Sequence, residues 1–107
     1  MKRFEIRWAA LDPVVGSEVA KERQVVIVSR DEFNERVETV TVCPLTSRLH
    51  PTWRTRLTVK VAGKATEIAV DHIRTISKSC VGNKLGALSE RNASALTRLI
   101  SAMYGDG

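Results

Sequence analysis

Apolar and β-branched residues in this chain fall in short runs broken by turn-forming residues, a pattern that predicts a mostly antiparallel sheet and not a helical bundle. Strands are expected over residues 4–9, 24–29, 37–43, 55–61 and 66–70, with a short sixth at 73–76. Ala62-Gly63-Lys64 reads as a tight hairpin connection, because glycine supplies the positive φ that such turns require. One helical turn is expected at 30–34. The long helix lies near the end, where Ser89 caps a segment whose Leu96, Leu99, Ile100 and Met103 fall at i, i+3, i+4 and i+7. Gly105 is expected to stop it. Its apolar stripe reads as core packing against the sheet. Six short strands around a small core plus a terminal helix predict a mainly β fold with a C-terminal helix, an SH3-like small barrel.

Length and composition narrow this only slightly. With 107 residues and 43% hydrophobic content, the chain supports one domain over residues 1–107 with a modest core. No run approaches the roughly 20 apolar residues needed to cross a bilayer. The start, Met1-Lys2-Arg3-Phe4-Glu5, carries charge where a signal peptide has its apolar segment, so a cytoplasmic location is expected. Cys43 and Cys80 lack paired spacing and are expected to be free thiols.

Charge changes the picture more. Seventeen Lys and Arg against twelve Asp and Glu give a net charge of +5, which favours an anionic partner such as nucleic acid or an acidic protein. The excess is local: Arg48, Arg54, Arg56, Lys60 and Lys64 occur within residues 48–64, where no acidic residue stands. That stretch is either a solvated strand face or a phosphate-contacting surface.

The candidate chemistry sits where loops meet strands. Leu11-Asp12-Pro13 and Gly16-Ser17-Glu18 build a polar loop that Arg23 closes before the apolar Val25-Val26-Ile27-Val28. A second strand ends in Pro44-Leu45-Thr46-Ser47-Arg48, so two strand ends are placed to converge on one substrate. Taken singly, Gly16-Ser17-Glu18 is an ordinary turn, Arg23 a solvated strand start and Thr46 a hydroxyl bonding its own backbone. There is no Walker or dinucleotide glycine motif, no Cys or His pair at ligand spacing and no Gly-x-Ser-x-Gly elbow. His50 and His72 are isolated, so neither a metal nor a cofactor is expected.

Read in order, the blocks resemble the MazF/PemK family of toxin endoribonucleases. Trp8, Leu11-Asp12-Pro13, Gly16-Ser17-Glu18 and Arg23-Gln24 follow the order of the family's Trp-containing strand, Leu-x-Pro, Gly-Ser-Glu and Arg-Pro. Pro44-Leu45-Thr46-Ser47 matches its Pro-Leu-Thr-Ser-like turn, and Asp71-His72-Ile73-Arg74-Thr75 its Asp-Gln-Ile-Arg-Thr segment. Lys78 and Leu85-Gly86-Ala87-Leu88 look like the Lys and Leu-Gly-x-Leu that precede the last helix. Three departures stand out: Phe4-Glu5 where Gly-Asp is usual, Gln24 where proline follows the arginine, and His72 in place of glutamine.

The resemblance implies the barrel shared by the CcdB, MazF and PemK toxins, a homodimer, and metal-independent, sequence-specific cleavage of single-stranded mRNA. The cleavage would proceed by 2′-hydroxyl attack and leave 2′,3′-cyclic phosphate and 5′-hydroxyl ends, with an acidic antitoxin as inhibitor. It carries the catalytic arginine onto Arg23 and the catalytic threonine onto Thr46, with Glu18 or Asp71 as proton acceptor. RNA contacts then fall to Ser17, Ser47, Arg48, Arg54, Arg56 and Arg74, with Trp53 able to stack a base. Such chemistry needs no metal, because the 2′-hydroxyl is an internal nucleophile and the protein supplies proton handling and charge. Two other readings share the barrel. One is a CcdB-like gyrase poison, against which the ending Met103-Tyr104-Gly105-Asp106-Gly107 counts, since it lacks the poison's Trp-Gly-Ile. The other is a non-catalytic RNA-binding or adaptor module.

Overall fold

Val25, Val26, Ile27 and Val28 are all buried, which requires packing on both faces of their strand. In the computed structural model, which describes residues 1–11 and 21–105, this follows from two cores on opposite faces of one sheet. Val26 and Val28 join Ile6, Cys43, Leu45, Val59, Ile68 and Leu96 in the first. Val25 joins Ile27, Ala9, Leu11, Val40, Val42 and Ile76 in the second. Gly16, Ser17 and Glu18 lie outside the described residues.

The strands are β1 (Glu5–Ala10), β2 (Glu22–Ile27), β3 (Thr39–Thr46), β4 (Arg56–Val61), β5 (Lys64–Ala69), β6 (Arg74–Ser77) and β7 (Val81–Ala87), with helices α1 (Asp31–Asn34) and α2 (Glu90–Tyr104). Their order in the sheet is β4-β5-β3-β2-β1-β7, with β6 also paired to β3. Every pairing is antiparallel. Two short 3₁₀ turns, Val70–His72 and Lys78–Cys80, lead into β6 and β7. The result is the expected curled, mainly β barrel with a terminal helix.

Helix α2 forms as its sequence dictates. Ser89 Oγ accepts from Asn92 N–H at 3.2 Å as N-cap. Leu96 is fully buried against the sheet, with Leu99, Ile100 and Met103 beside it. Gly105 ends the helix by close approach and not by a left-handed cap: its φ is −78°, and a Cβ there would stand 2.5 Å from Ser101 O.

β1, β2, β4, β5 and β6 lie within two residues of their expected bounds, and two strands differ more, each for a local reason. β7, with Gly82 and Gly86 and mostly exposed or half-buried side chains, carries no apolar alternation; it pairs with β1 through two register shifts at the sheet edge. β3 continues through Pro44 to Thr46, where the sequence predicts an end near residue 43. On its far side β3 pairs with β6 up to Val42 and with β5 from Leu45. Pro44 stands in the gap between those two ladders, where its missing N–H costs least.

Among the described residues, positive φ occurs at Phe4, Ala62 and Gly63. Phe4, where the resembled family has glycine, adopts φ 71°. It is held there by its N–H to Ile27 O at 2.6 Å and by Leu88 N–H to its own carbonyl at 3.0 Å. Ala62 and Gly63, between the paired Val61 and Lys64, have φ 51° and 79°, a two-residue turn with both central residues left-handed. Nothing lies within 4 Å of a Cβ built on Gly63. Gly63→Ala therefore carries only a conformational cost, about 1–2 kcal/mol in urea unfolding, whereas Ala62→Asn is expected to stabilise slightly.

Glu5 ties β1 to β7. Its Oε1 accepts from Lys2 N–H and Arg7 Nη1, both at 2.9 Å, and Lys84 Nζ lies 3.4 Å from Oε2. Burial alone would raise its pKa, but these three donors outweigh it and hold the carboxyl at about 2, against an ordinary 4.5. A depressed folded pKa means stability present above the unfolded value and lost as pH falls from about 4.5 toward 2. Urea midpoints of wild type and Glu5→Gln should differ at neutral pH, on the order of 2–3 kcal/mol, and converge near pH 2.

Candidate active site

The ladder between β2 and β3 pairs Val25 with Pro44, Val26 with Cys43 and Ile27 with Val42. The paired residues end at Val25–Pro44; the same register carried two further steps would set Arg23 opposite Thr46 at the open end of the sheet. Side-chain alternation puts both on the face of Val25 and Val42, just past the second core. The chain thus folds a guanidinium and a hydroxyl from adjacent strands onto one rim. Arg23 is exposed, its backbone fixed by pairing with Ala9 of β1. Thr46 is half-buried, and its Oγ1 accepts from Arg48 N–H at 3.1 Å. That bond orients the hydroxyl and leaves its own proton to donate outward.

The other predicted residues separate into groups. Ser47 follows Thr46 at the rim and is exposed, as are Arg48 and Arg54 in the loop that precedes β4. Arg74 is exposed on β6 and pairs with Val42, four residues along β3 from Thr46, about 13 Å at ~3.3 Å per residue. Ser17 and Glu18 lie outside the described residues.

Arg56 and Asp71 are committed to each other. Arg56 Nε donates to Asp71 Oδ1 at 2.8 Å, and its Nη1 lies 3.4 Å from Glu67 Oε1. The Arg56 side chain is 7% exposed and that of Glu67 0%. Burial opposes ionisation of Asp71, but the Arg56 hydrogen bonds outweigh it and hold its pKa below the usual value, with His72 adding to the effect. Trp53 stacks on His50 at 3.8 Å between ring centroids, and the Arg56 guanidinium stands 4.7 Å over the indole. His50 N–H donates to Glu67 Oε2. Arg56 is thus a buried brace, and Trp53 carries two partners already.

Glu67 is the residue that sequence reasoning missed. It pairs with Thr46 across β3 and β5 and holds the start of the 47–55 loop through His50. The signal was present in the hairpin: a two-residue turn at Ala62-Gly63 puts Thr58 opposite Glu67 and Arg56 diagonal to it.

Among the described residues, no three His, Cys, Asp or Glu side chains come together as a metal site would require. Cys43 and Cys80 are free, and burial pushes the Cys43 thiol up to about 12, with Asp71 adding to the rise, so it is an inert core group.

Comparison with known proteins gives the fold and the family. A curated relative, Endoribonuclease MazF of Staphylococcus saprophyticus, is 30% identical over 110 residues, covering 98% of this chain and 92% of its own length. Two solved structures have the same fold. Mycobacterium tuberculosis toxin MazF-mt6 superposes with a TM-score of 0.77 at 24% identity, covering 94% of this chain and 95% of its own. MazE–MazF from Deinococcus radiodurans gives 0.83 at 17% identity, covering 100% and 98%. The model of the PemK-like, MazF-like toxin of type II toxin–antitoxin systems matches residues 2–104, and this chain belongs to that family.

Proposed function

We propose that this chain is a toxin endoribonuclease that cuts single-stranded RNA at specific sequences without a metal, acting in the cytoplasm as a homodimer. The observation that carries the reading is the β2–β3 register, which when extended two steps brings Arg23 and Thr46 to one face of two adjacent strand ends. The attacking 2′-hydroxyl belongs to the substrate, so the protein has to orient the phosphate, stabilise the charge that grows on it and move two protons. Arg23 supplies a permanent charge in a fork matched to phosphate oxygens, and the leaving 5′ oxygen takes its proton from water. Thr46 donates a neutral hydrogen bond to the same phosphate. The pairing of Asp71 with Arg56 disfavours it as proton acceptor, and Glu18 takes that role on the strength of the family resemblance. The products are 2′,3′-cyclic phosphate and 5′-hydroxyl ends.

Two kinds of partner follow. Arg48, Arg54 and Arg74 contact the RNA backbone around the rim, with Ser47 beside the phosphate; Ser17 is added on the strength of the family resemblance. An acidic antitoxin complements the net charge of +5; fold relatives have been solved with their own antitoxins, among them a mycobacterial endoribonuclease in complex with its cognate antitoxin. The test is to incubate purified protein with a long single-stranded RNA in excess EDTA and map the ends. Discrete cleavage at a recurring sequence is expected. RNA left intact at high protein concentration would overturn the reading.

A further inference from the structure

We propose that the cavity on the face opposite Arg23, at the same strand end, binds one nucleobase of the RNA next to the scissile phosphate, and that Gln24 reads that base. This rests on the nuclease reading for the nature of the substrate.

The alternation of β2 separates the two faces. Arg23 extends the row of Val25 and Ile27, whereas Gln24 extends the row of Val26 and faces the other way. Trp8 pairs with Gln24 across β1, and one step beyond the last β2–β3 pair brings Leu45 alongside. Trp8, Gln24 and Leu45 line a cavity of about 430 Å³, closed on one side by the tip of the β4–β5 hairpin with Lys64. Thr46 and Ser47 also line it, so the cavity and the phosphate site share a wall. Its volume falls in the range of about 300–1,000 Å³ typical of small-ligand sites.

The lining chemistry suits a base. Trp8 is half-buried on the apolar floor and offers a π surface for stacking. Gln24 is half-buried and offers one acceptor and two donors, the complement needed to read a base edge. Among the described residues no acidic side chain lines the cavity, and Lys64 places a cation at its side for an adjoining phosphate. A proline after the arginine, as in the resembled family, has no amide to present. Gln24 therefore gives this chain a reading group of its own.

Fluorescence tests it directly. The chain has two tryptophans, so in Trp53→Phe protein Trp8 is the remaining indole. The probes are 2′-deoxy decamers, which cannot undergo 2′-hydroxyl attack, carrying a single central A, C, G or T among abasic sites, plus a fully abasic control. At least one base should quench Trp8 emission at a concentration tenfold below the control. Gln24→Glu, which can only accept, should reorder the four toward bases that present an exocyclic amine. Equal quenching by the abasic decamer, or an order unchanged by Gln24→Glu, would overturn the proposal. Base-selective quenching by a protein that leaves RNA intact would remove the nuclease reading and keep the pocket. Cleavage without base-selective quenching would do the reverse.

Discussion

Replacing Arg23 with alanine is expected to slow RNA cleavage by at least about 10²–10³-fold, the loss typical of removing one preorganised group that stabilises developing charge. The substitution should leave the fold intact. Arg23 is exposed, its side chain projects past the second core and its strand is held by backbone pairing with β1, so stability should move by no more than about 0.5 kcal/mol. Arg23→Lys keeps the charge but loses the two-pronged donor, and should recover only part of the rate. Thr46→Ala removes both the outward donor and the acceptor for Arg48 N–H, whereas Thr46→Ser retains both. The serine variant should therefore cleave and the alanine variant should not. Single-turnover rates on one RNA, with circular dichroism on each variant, separate this from unfolding. Wild-type rates in both alanine variants would remove the strand-end site from the chemistry.

Glu67→Ala is expected to destabilise the protein by about 2–3 kcal/mol, because it removes one of the two carboxylates that hold the buried Arg56 guanidinium. Glu67 Oε1 faces Arg56 Nη1 at 3.4 Å and its Oε2 accepts from His50 N–H, with the carboxylate fully buried. Asp71 still holds Arg56 Nε at 2.8 Å, so the guanidinium keeps one partner and the loss falls short of a fully orphaned charge. Glu67→Gln keeps the shape and the acceptor for His50 while losing the ionic part, and should fall between wild type and alanine. Replacing Glu67 and Arg56 together by Leu and Met removes both charges and should cost less than Glu67→Ala alone. Denaturant midpoints of the four proteins decide it. A midpoint for Glu67→Ala within error of wild type would show that the pair contributes nothing.

The parts of the fold legible in the sequence were those where local chemistry and burial agree. The β4–β5 hairpin follows from Gly63, α2 from Ser89 and its apolar stripe, and β2 from its unbroken apolar run. β7 was not legible, because an edge strand with Gly82 and Gly86 and little buried surface has no periodicity to read. Pro44 hid the end of β3 for a different reason: only the switch of partner from β6 to β5 makes a proline tolerable there.

In the site, order along the chain picked out Arg23 and Thr46, but composition grouped Arg56 with Arg48 and Arg54 as surface cations. Glu67 and Asp71 both claim Arg56 from eleven and fifteen residues away in sequence, and that depends on a diagonal contact across the hairpin. The role of Gln24 was visible only as an oddity after Arg23. Its side of the strand, and so its cavity, came from the register with Trp8.

The most direct measurement uses an RNA oligonucleotide bearing one mapped cleavage site, and its twin with a single 2′-deoxy nucleotide immediately 5′ of the cut, each incubated with wild-type protein in EDTA. The account predicts that the all-ribose strand is cut to 2′,3′-cyclic phosphate and 5′-hydroxyl ends, that Arg23→Ala cuts it at least about 10²-fold more slowly, and that the deoxy twin binds without being cut. Cleavage of the deoxy twin, or products bearing a 5′-phosphate, would contradict it.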